Sequence, residues 1–252
     1  MLVLTGCTDT AARKQLDEGN QALNARHYDM ASDDADAYLR KHSTGTDAAE
    51  AYYLKGRIFE QRAFDPAASP SVAVKRENLD AARGAYNAGI AQHGTQPVQA
   101  LLHSGAANVA FFEDDEATAL REWQIAYDNF QNDDARAWTL FRVGICQQRL
   151  GQFSDADQTF QRVQQSYPGT EPAKRAMARY GIHAFYVQLV AFTDPSRAQS
   201  AANALKAQGL AASTKPQAGE QIVQLGPFPA YPQARTVQAR LLGQYRGAVI
   251  VP

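Results

Sequence analysis

No run of 18 apolar residues occurs anywhere in the 252-residue chain, so no helix of it is expected to span a membrane. The five histidines, His27, His42, His93, His103 and His183, lack acids or cysteines at metal-ligand spacing. They are expected at the surface or at helix ends, with no metal site. There is no glycine-rich phosphate loop, no nucleophile elbow and no Cys–His signature. Paired carboxylates of the kind a glycosidase needs meet only in space and cannot be read from spacing. No catalytic residue, metal or cofactor is therefore expected, and the chain reads as something other than an enzyme. Cysteine is limited to Cys7 and Cys146, and the apolar helical stretch around Cys146 makes it a small buried hydrophobe. A formal net charge of −1 argues neither for nucleic acid nor for an anionic membrane surface.

What is present describes an ordinary globular chain, with 45% hydrophobic and 20% charged residues and enough length for one large or two modest domains. The near-zero net charge hides an asymmetry. From His183 onward six Lys or Arg (Arg197, Lys206, Lys215, Arg235, Arg240, Arg246) face only Asp194 and Glu220, a net of +4. Residues 1–182 carry the balance, a net of −5. Two surfaces of opposite sign imply different partners.

Internal repeats organise the first part. Between Ala135 and Pro168, the residues Gly144, Gly151, Phe153, Ala156, Phe160 and Pro168 fall at relative positions 8, 15, 17, 20, 24 and 32, with Ala137 as position 1. Small Gly144 and Ala156 let two helices cross closely, Gly151 suits a turn of positive φ, and Pro168 stops the second helix. Phe153 and Phe160 would fill the gap to the next element. The spacing resembles a tetratricopeptide repeat (TPR), a helix–turn–helix unit of 34 residues. Weaker copies carry Gly19, Tyr28 and Ala31, then Gly56 with Ala81, Ala85 and Ala88, then Gly105 and Ala117. Successive glycines lie 37, 49 and 39 residues apart, so loops are longer, and Pro66 and Pro70 mark an insertion over Phe64–Val74. A last helix over Glu171–Gly181, with Thr170 as N-cap and Pro172 in its first turn, would cap the stack. Such solenoids use a concave face for peptides or partner helices, which implies an unidentified protein partner there. The acidic clusters Asp33-Asp34-Asp36, Glu113-Asp114-Asp115-Glu116 and Asp133-Asp134 read as turns and solvated faces, and none matches a calcium loop.

The last seventy residues repeat on themselves at an offset of 36. Val187-Gln188-Leu189-x-x-Phe192 returns as Val223-Gln224-Leu225-x-x-Phe228, Ala198 as Ala234 and Leu205 as Leu241. Each half reads as a strand, an amphipathic helix (Pro195–Gln208, Tyr231–Gly243) and a short strand (Leu210–Lys215, Gly247–Val251). The order βαββαβ predicts a four-stranded sheet with both helices on one face, a ferredoxin-like α/β domain. Phe185–Phe192 and the Val223-Gln224-Leu225-Gly226-Pro227-Phe228 run resemble the first and third strands of the SPOR (sporulation-related) domain. That resemblance implies a ligand: peptidoglycan glycan strands that have lost their stem peptides, at division or wall-remodelling sites. Strict alternation puts Val187 and Leu189 toward the helices, and Tyr186, Gln188 and Val190 on the open face, with Ile222 and Gln224 beside them. These five are the expected glycan-binding residues: the amides donate and accept at once, and Tyr186 and Ile222 offer apolar surface to sugar C–H faces. Val190-Ala191 stand where well-known members have Gly-Ser, and Glu220 and Ile222 stand where some carry an aromatic and an Arg.

At the start, Leu4-Thr5-Gly6-Cys7 resembles the lipobox of bacterial lipoproteins, which implies acylation of Cys7 and a membrane anchor. This segment lacks the basic n-region and most of the apolar h-region of a signal peptide, so either the true start lies upstream or the match is chance. Thr8 after the Cys resembles the outer-membrane sorting pattern. The expected organisation is a lipobox and tether over 1–10, a TPR-like α-helical solenoid over 11–182 and the SPOR-like domain over 183–252. The last helix runs almost directly into the first strand, so the two are expected to move together. The implied protein is lipid-anchored at the periplasmic face of the envelope, binding wall glycan through the sheet and a protein through the repeats. A second reading stays open: a repeat lipoprotein that scaffolds outer-membrane or envelope assembly, its sheet used for protein docking.

Overall fold

The computed structural model describes residues 10–252. The first nine helices are α1 (Thr10–Asn24), α2 (Tyr28–Lys41), α3 (Thr46–Phe64), α4 (Val72–Ile90), α5 (Gln96–Phe112), α6 (Glu116–Asn129), α7 (Asp133–Arg149), α8 (Phe153–Ser166) and α9 (Glu171–Arg179). There follow β1 (Phe185–Phe192), α10 (Pro195–Ala207), β2 (Ala212–Gln217), β3 (Glu220–Phe228), α11 (Tyr231–Leu241) and β4 (Val249–Val251). The chain divides into two compact units between Thr139 and Leu140, inside α7.

In the first unit each helix packs on its successor from α1 through α6, and α1 also meets α3 as α3 meets α5. Stacked helical hairpins have this contact pattern, because each hairpin buries its apolar stripe only against the next. The glycines spaced along the repeats explain the close approach. Tyr86 of α4 is fully buried, and a Cβ on either Gly56 or Gly105 would overlap its ring. The insertion lies between α3 and α4, over residues 65–71. Its Asp65 accepts from Ala67 N at 2.9 Å, and Ser71 caps α4 by accepting from Val74 N at 3.3 Å. Of the acidic clusters, Asp115 caps α6 through Thr118 N, while Asp133 and Asp134 occupy the first turn of α7, where the helix dipole favours them. His103 departs from the expected surface or helix-end position. It lies in mid-α5 with its side chain 14% exposed, because α6 packs there and supplies Glu122, whose Oε2 is 2.7 Å from His103 Nδ1.

In the second unit, Gly144 of α7 faces Phe160 of α8, and a Cβ there would sit 2.5 Å from the ring. Gly151 turns the chain at φ +78°, a conformation costly for any side chain. Cys146 is fully buried. Thr170 caps α9 through Ala173 N, with Pro172 in the first turn.

The sheet domain has strand order β2-β3-β1-β4, every neighbouring pair antiparallel. One cluster joins Phe185, Val187 and Leu189 of β1 and Val223 and Leu225 of β3 to Ala198, Ala202 and Leu205 of α10 and Ala234 of α11. Both helices therefore cover the same face and leave the other open. Asp194 caps α10 by accepting from Ser196 N at 2.8 Å. Phe153 of α8 packs against this cluster too, its ring 6.4 Å from that of Phe185. The short connector into β1 is held from two sides. Gln148 of α7 donates to Arg179 O and Ile182 O at 3.3 and 3.0 Å and accepts from the Arg179 guanidinium at 3.0 Å. Asp157 of α8 accepts from Gly181 N at 2.9 Å and meets His183 Nε2 at 2.7 Å.

Candidate functional site

The open face of the sheet is built by register. Ser213 of β2 stands opposite Gln224 of β3, which stands opposite Gln188 of β1, which stands opposite Val249 of β4. These four form one row across the sheet. One step toward the β2–β3 hairpin, Lys215, Ile222 and Ala191 form a second row. On the other side Tyr186 stands opposite Val251. Alternation along β2 is regular, so Ala212 enters the core while Ser213 and Lys215 point outward.

Two irregularities shape this face. Between Gln188 and Val190, β1 advances two residues while β3 advances one, which makes Leu189 a bulge residue. The bulge resets the alternation. Val190 pairs with Val223 and packs against the buried cluster, so it lies on the helix side and not, as strict alternation predicts, on the open face. The exposed Ala191, opposite Ile222, takes the outward position. The second irregularity is in β3, between Leu225 and Phe228. There Gly226 adopts φ +129°, and a Cβ on it would lie 3.0 Å from the Tyr186 ring and 2.9 Å from Phe185 O. Glycine at this place leaves room for the tyrosine.

Four of the five expected residues, Tyr186, Gln188, Ile222 and Gln224, thus share the open face. Ser213, Lys215, Val249 and Val251 join them. Sequence patterning missed these four because β2 and β4 are short, and their register comes from pairing, not periodicity. Gln224 is unusual among them. It is only 7% exposed, and no protein donor reaches its side-chain Oε1. A buried amide oxygen left without a donor costs roughly 1–3 kcal/mol. Its neighbours in the row, Ser213 and Gln188, are partly exposed, and Val249 is 50% exposed. The face therefore combines amides, a hydroxyl, one lysine and apolar surface.

The family model of the SPOR domain matches residues 183–252, the whole of this sheet and its helices. Over these seventy residues the chain is similar to SPOR domains. A tetratricopeptide repeat model matches residues 138–170, which takes in most of α7 and all of α8. Both are binding modules, not catalytic ones, and the helical region that precedes residues 183–252 is TPR-like. A crystal structure of YrrB, described as a TPR protein with an unusual peptide-binding site, is similar at a TM-score of 0.46 and 19% identity. That likeness covers 65% of this chain and 75% of that one. No curated protein matches the chain.

A second concavity lies within the helical repeats, between α3 and α5, with a volume of about 390 Å³. Its floor is Tyr86, whose hydroxyl donates to Glu60 Oε2 at 2.7 Å, while Asn108 donates to Glu60 Oε1 at 3.1 Å. Burial, with the Glu60 carboxylate beside it, pushes the Tyr86 phenol well above its ordinary pKa. Phe64 and Phe112 meet at its rim, tilted by 47° with ring centroids 4.3 Å apart, 42% and 46% exposed. Among the described residues no group of three or more His, Cys, Asp or Glu is placed to hold a metal ion, and no helix is long and apolar enough to cross a membrane. Cys7, the expected lipidation site, lies outside the described residues.

Proposed function

We propose that the SPOR domain binds peptidoglycan glycan strands stripped of their stem peptides, while the helical repeats recruit a protein partner at the cell envelope. The observation that carries this reading is the row Ser213–Gln224–Gln188 on an otherwise open SPOR sheet, with the Gln224 acceptor buried and unpaired. Sugar hydroxyls and N-acetyl N–H groups are the donors such an oxygen needs, and Gln188 and Ser213 can donate and accept alongside it. Tyr186, Ile222, Val249 and Val251 supply flat or apolar surface for C–H faces of the sugar rings. The net charge of −5 over residues 1–182, and a cleft rimmed by Phe64 and Phe112, favour a separate protein partner for the repeats. The Leu4-Thr5-Gly6-Cys7 motif supports an acyl anchor that would hold the chain at the periplasmic face of the outer membrane, with 1–10 as tether, 11–182 as partner-binding repeats and 183–252 as the wall-binding domain. A single acyl chain binds membranes weakly, so stable attachment requires the several chains usual for bacterial lipoproteins.

The test is co-sedimentation of the full chain with two samples of sacculi, one intact and one stripped of stem peptides by an amidase. The expected result is retention on the stripped sample that falls at least about tenfold with Gln188→Ala. No retention on either sample would sink the glycan reading and leave an envelope scaffold whose sheet docks protein.

A further inference from the structure

Removing the stem peptide changes the charge of the glycan. Hydrolysis of the amide that joins the peptide to the lactyl group of each muramic acid breaks its C–N bond. Water's oxygen goes to the carbonyl carbon, the amine leaves with the peptide, and one carboxylate appears on every disaccharide. A stripped strand is thus a regularly spaced polyanion, whereas amides and apolar surface alone would suit a neutral one.

Two observations match that anion, and a third marks the row beside it as ligand-facing. The SPOR domain carries a net of +4 against −5 for the rest of the chain. On its open face Lys215 stands in register with Ile222, one row from the Ser213–Gln224–Gln188 row, and it is exposed. Lys215 makes no ion pair among the described residues, Glu220 included, although Glu220 lies one row further along the β2–β3 hairpin opposite Gln217. The third is Gln224 itself, whose buried Oε1 has no protein donor and can accept from a sugar hydroxyl or N–H in the adjoining row.

Resting on the glycan reading above, we infer that Lys215 is the specificity residue that reads the freed lactyl carboxylate, and so makes the domain select strands that have lost their peptides. With the bulk of the peptide discounted, hydrolysis exchanges a neutral amide that donates through its N–H for an anion that only accepts. A lysine needs no fixed geometry to sense it, being a point charge on a flexible stem.

The experiment uses the full chain and three glycan preparations: intact, amidase-stripped, and amidase-stripped with its carboxylates then capped as methylamides. Capping restores a neutral amide at each lactyl group without restoring the peptide. Binding to the stripped glycan should exceed binding to the capped glycan by about three- to fivefold at low salt, the range for one solvent-exposed charge pair. The excess should shrink as ionic strength rises. Lys215→Gln should bring binding of the stripped glycan down to the capped level, and Lys215→Arg should keep the preference, with thermal melts establishing that both variants fold. Equal binding of stripped and capped glycan by the natural chain would overturn this inference and leave the glycan reading standing. A preference that persists in Lys215→Gln would overturn the assignment to Lys215. Failure to bind any of the three would overturn the glycan reading itself.

Discussion

The connector between the last helical hairpin and the sheet, and the open face of that sheet, each bury one glutamine and treat it in opposite ways. Gln148, 1% exposed, has both ends of its amide engaged, holding Arg179 and Ile182 against α7. Gln224, 7% exposed, has its amide oxygen unpaired. Burial alone therefore does not separate a structural polar group from a functional one; satisfaction does. A satisfied amide rigidifies its surroundings, because breaking it strands several partners at once. An unsatisfied one lowers stability until something outside the chain supplies the missing bond.

The comparison can be broken most directly at Gln148. Gln148→Ala should destabilise the folded chain by roughly 2–3 kcal/mol, since it orphans two carbonyls and a guanidinium in a closed site. Chemical denaturation would measure this, and a loss below about 0.5 kcal/mol would remove the distinction. Gln224→Leu should do the reverse: stability unchanged or raised by up to about 1 kcal/mol, because an unpaired acceptor is gone, yet retention on stripped glycan reduced at least about tenfold. Destabilisation by Gln224→Leu would mean that this amide is structural after all. Asp157→Ala should lie between the two extremes, costing about 1 kcal/mol, because its bonds to Gly181 N and His183 are partly exposed to water. Its protection of the Gly181 amide against hydrogen exchange should fall in parallel.

The smallest effect concerns pH. The hydrogen bond from His103, outweighing burial, holds the Glu122 carboxyl below its ordinary value of 4.5. A carboxylate that binds its proton less readily when folded contributes stability that is fully present above that value and is lost as pH falls through the lowered one. Glu122→Gln should therefore flatten the acid side of the stability profile while changing little at neutral pH. Melts between about pH 3 and pH 7 would detect it, and an unchanged acid slope would count against the pair.

Much of this fold is legible in the amino-acid sequence. The turn at Gly151, the cap at Thr170 and the strand–helix–strand halves all lie where local chemistry puts them. Gly56, Gly105 and Gly144 stand where neighbouring helices approach closely, but their aromatic partners, Tyr86 and Phe160, are supplied by the packing and not by the spacing. The site is half legible. Gln188, Gln224, Tyr186 and Ile222 follow from period-two patterning, but Val190 does not, because one extra residue in β1 inverts every orientation beyond it. His103 likewise finds its carboxylate on a neighbouring helix, nineteen residues away.

The sequence by itself determined what lies within one element: where helices start and stop, which stripe of each is apolar, and that the last seventy residues form two matching halves. Those features depend on neighbours a few residues apart, so composition and period reveal them. Only the tertiary structure decided which residues of different strands share a row. It brought Ser213 and Lys215 beside Gln224 and Ile222, turned Val190 inward, and closed the bonds of Gln148 while leaving one of Gln224 open. Strand register and the partners of buried amides are set by pairings across long stretches of chain, and no local pattern records them.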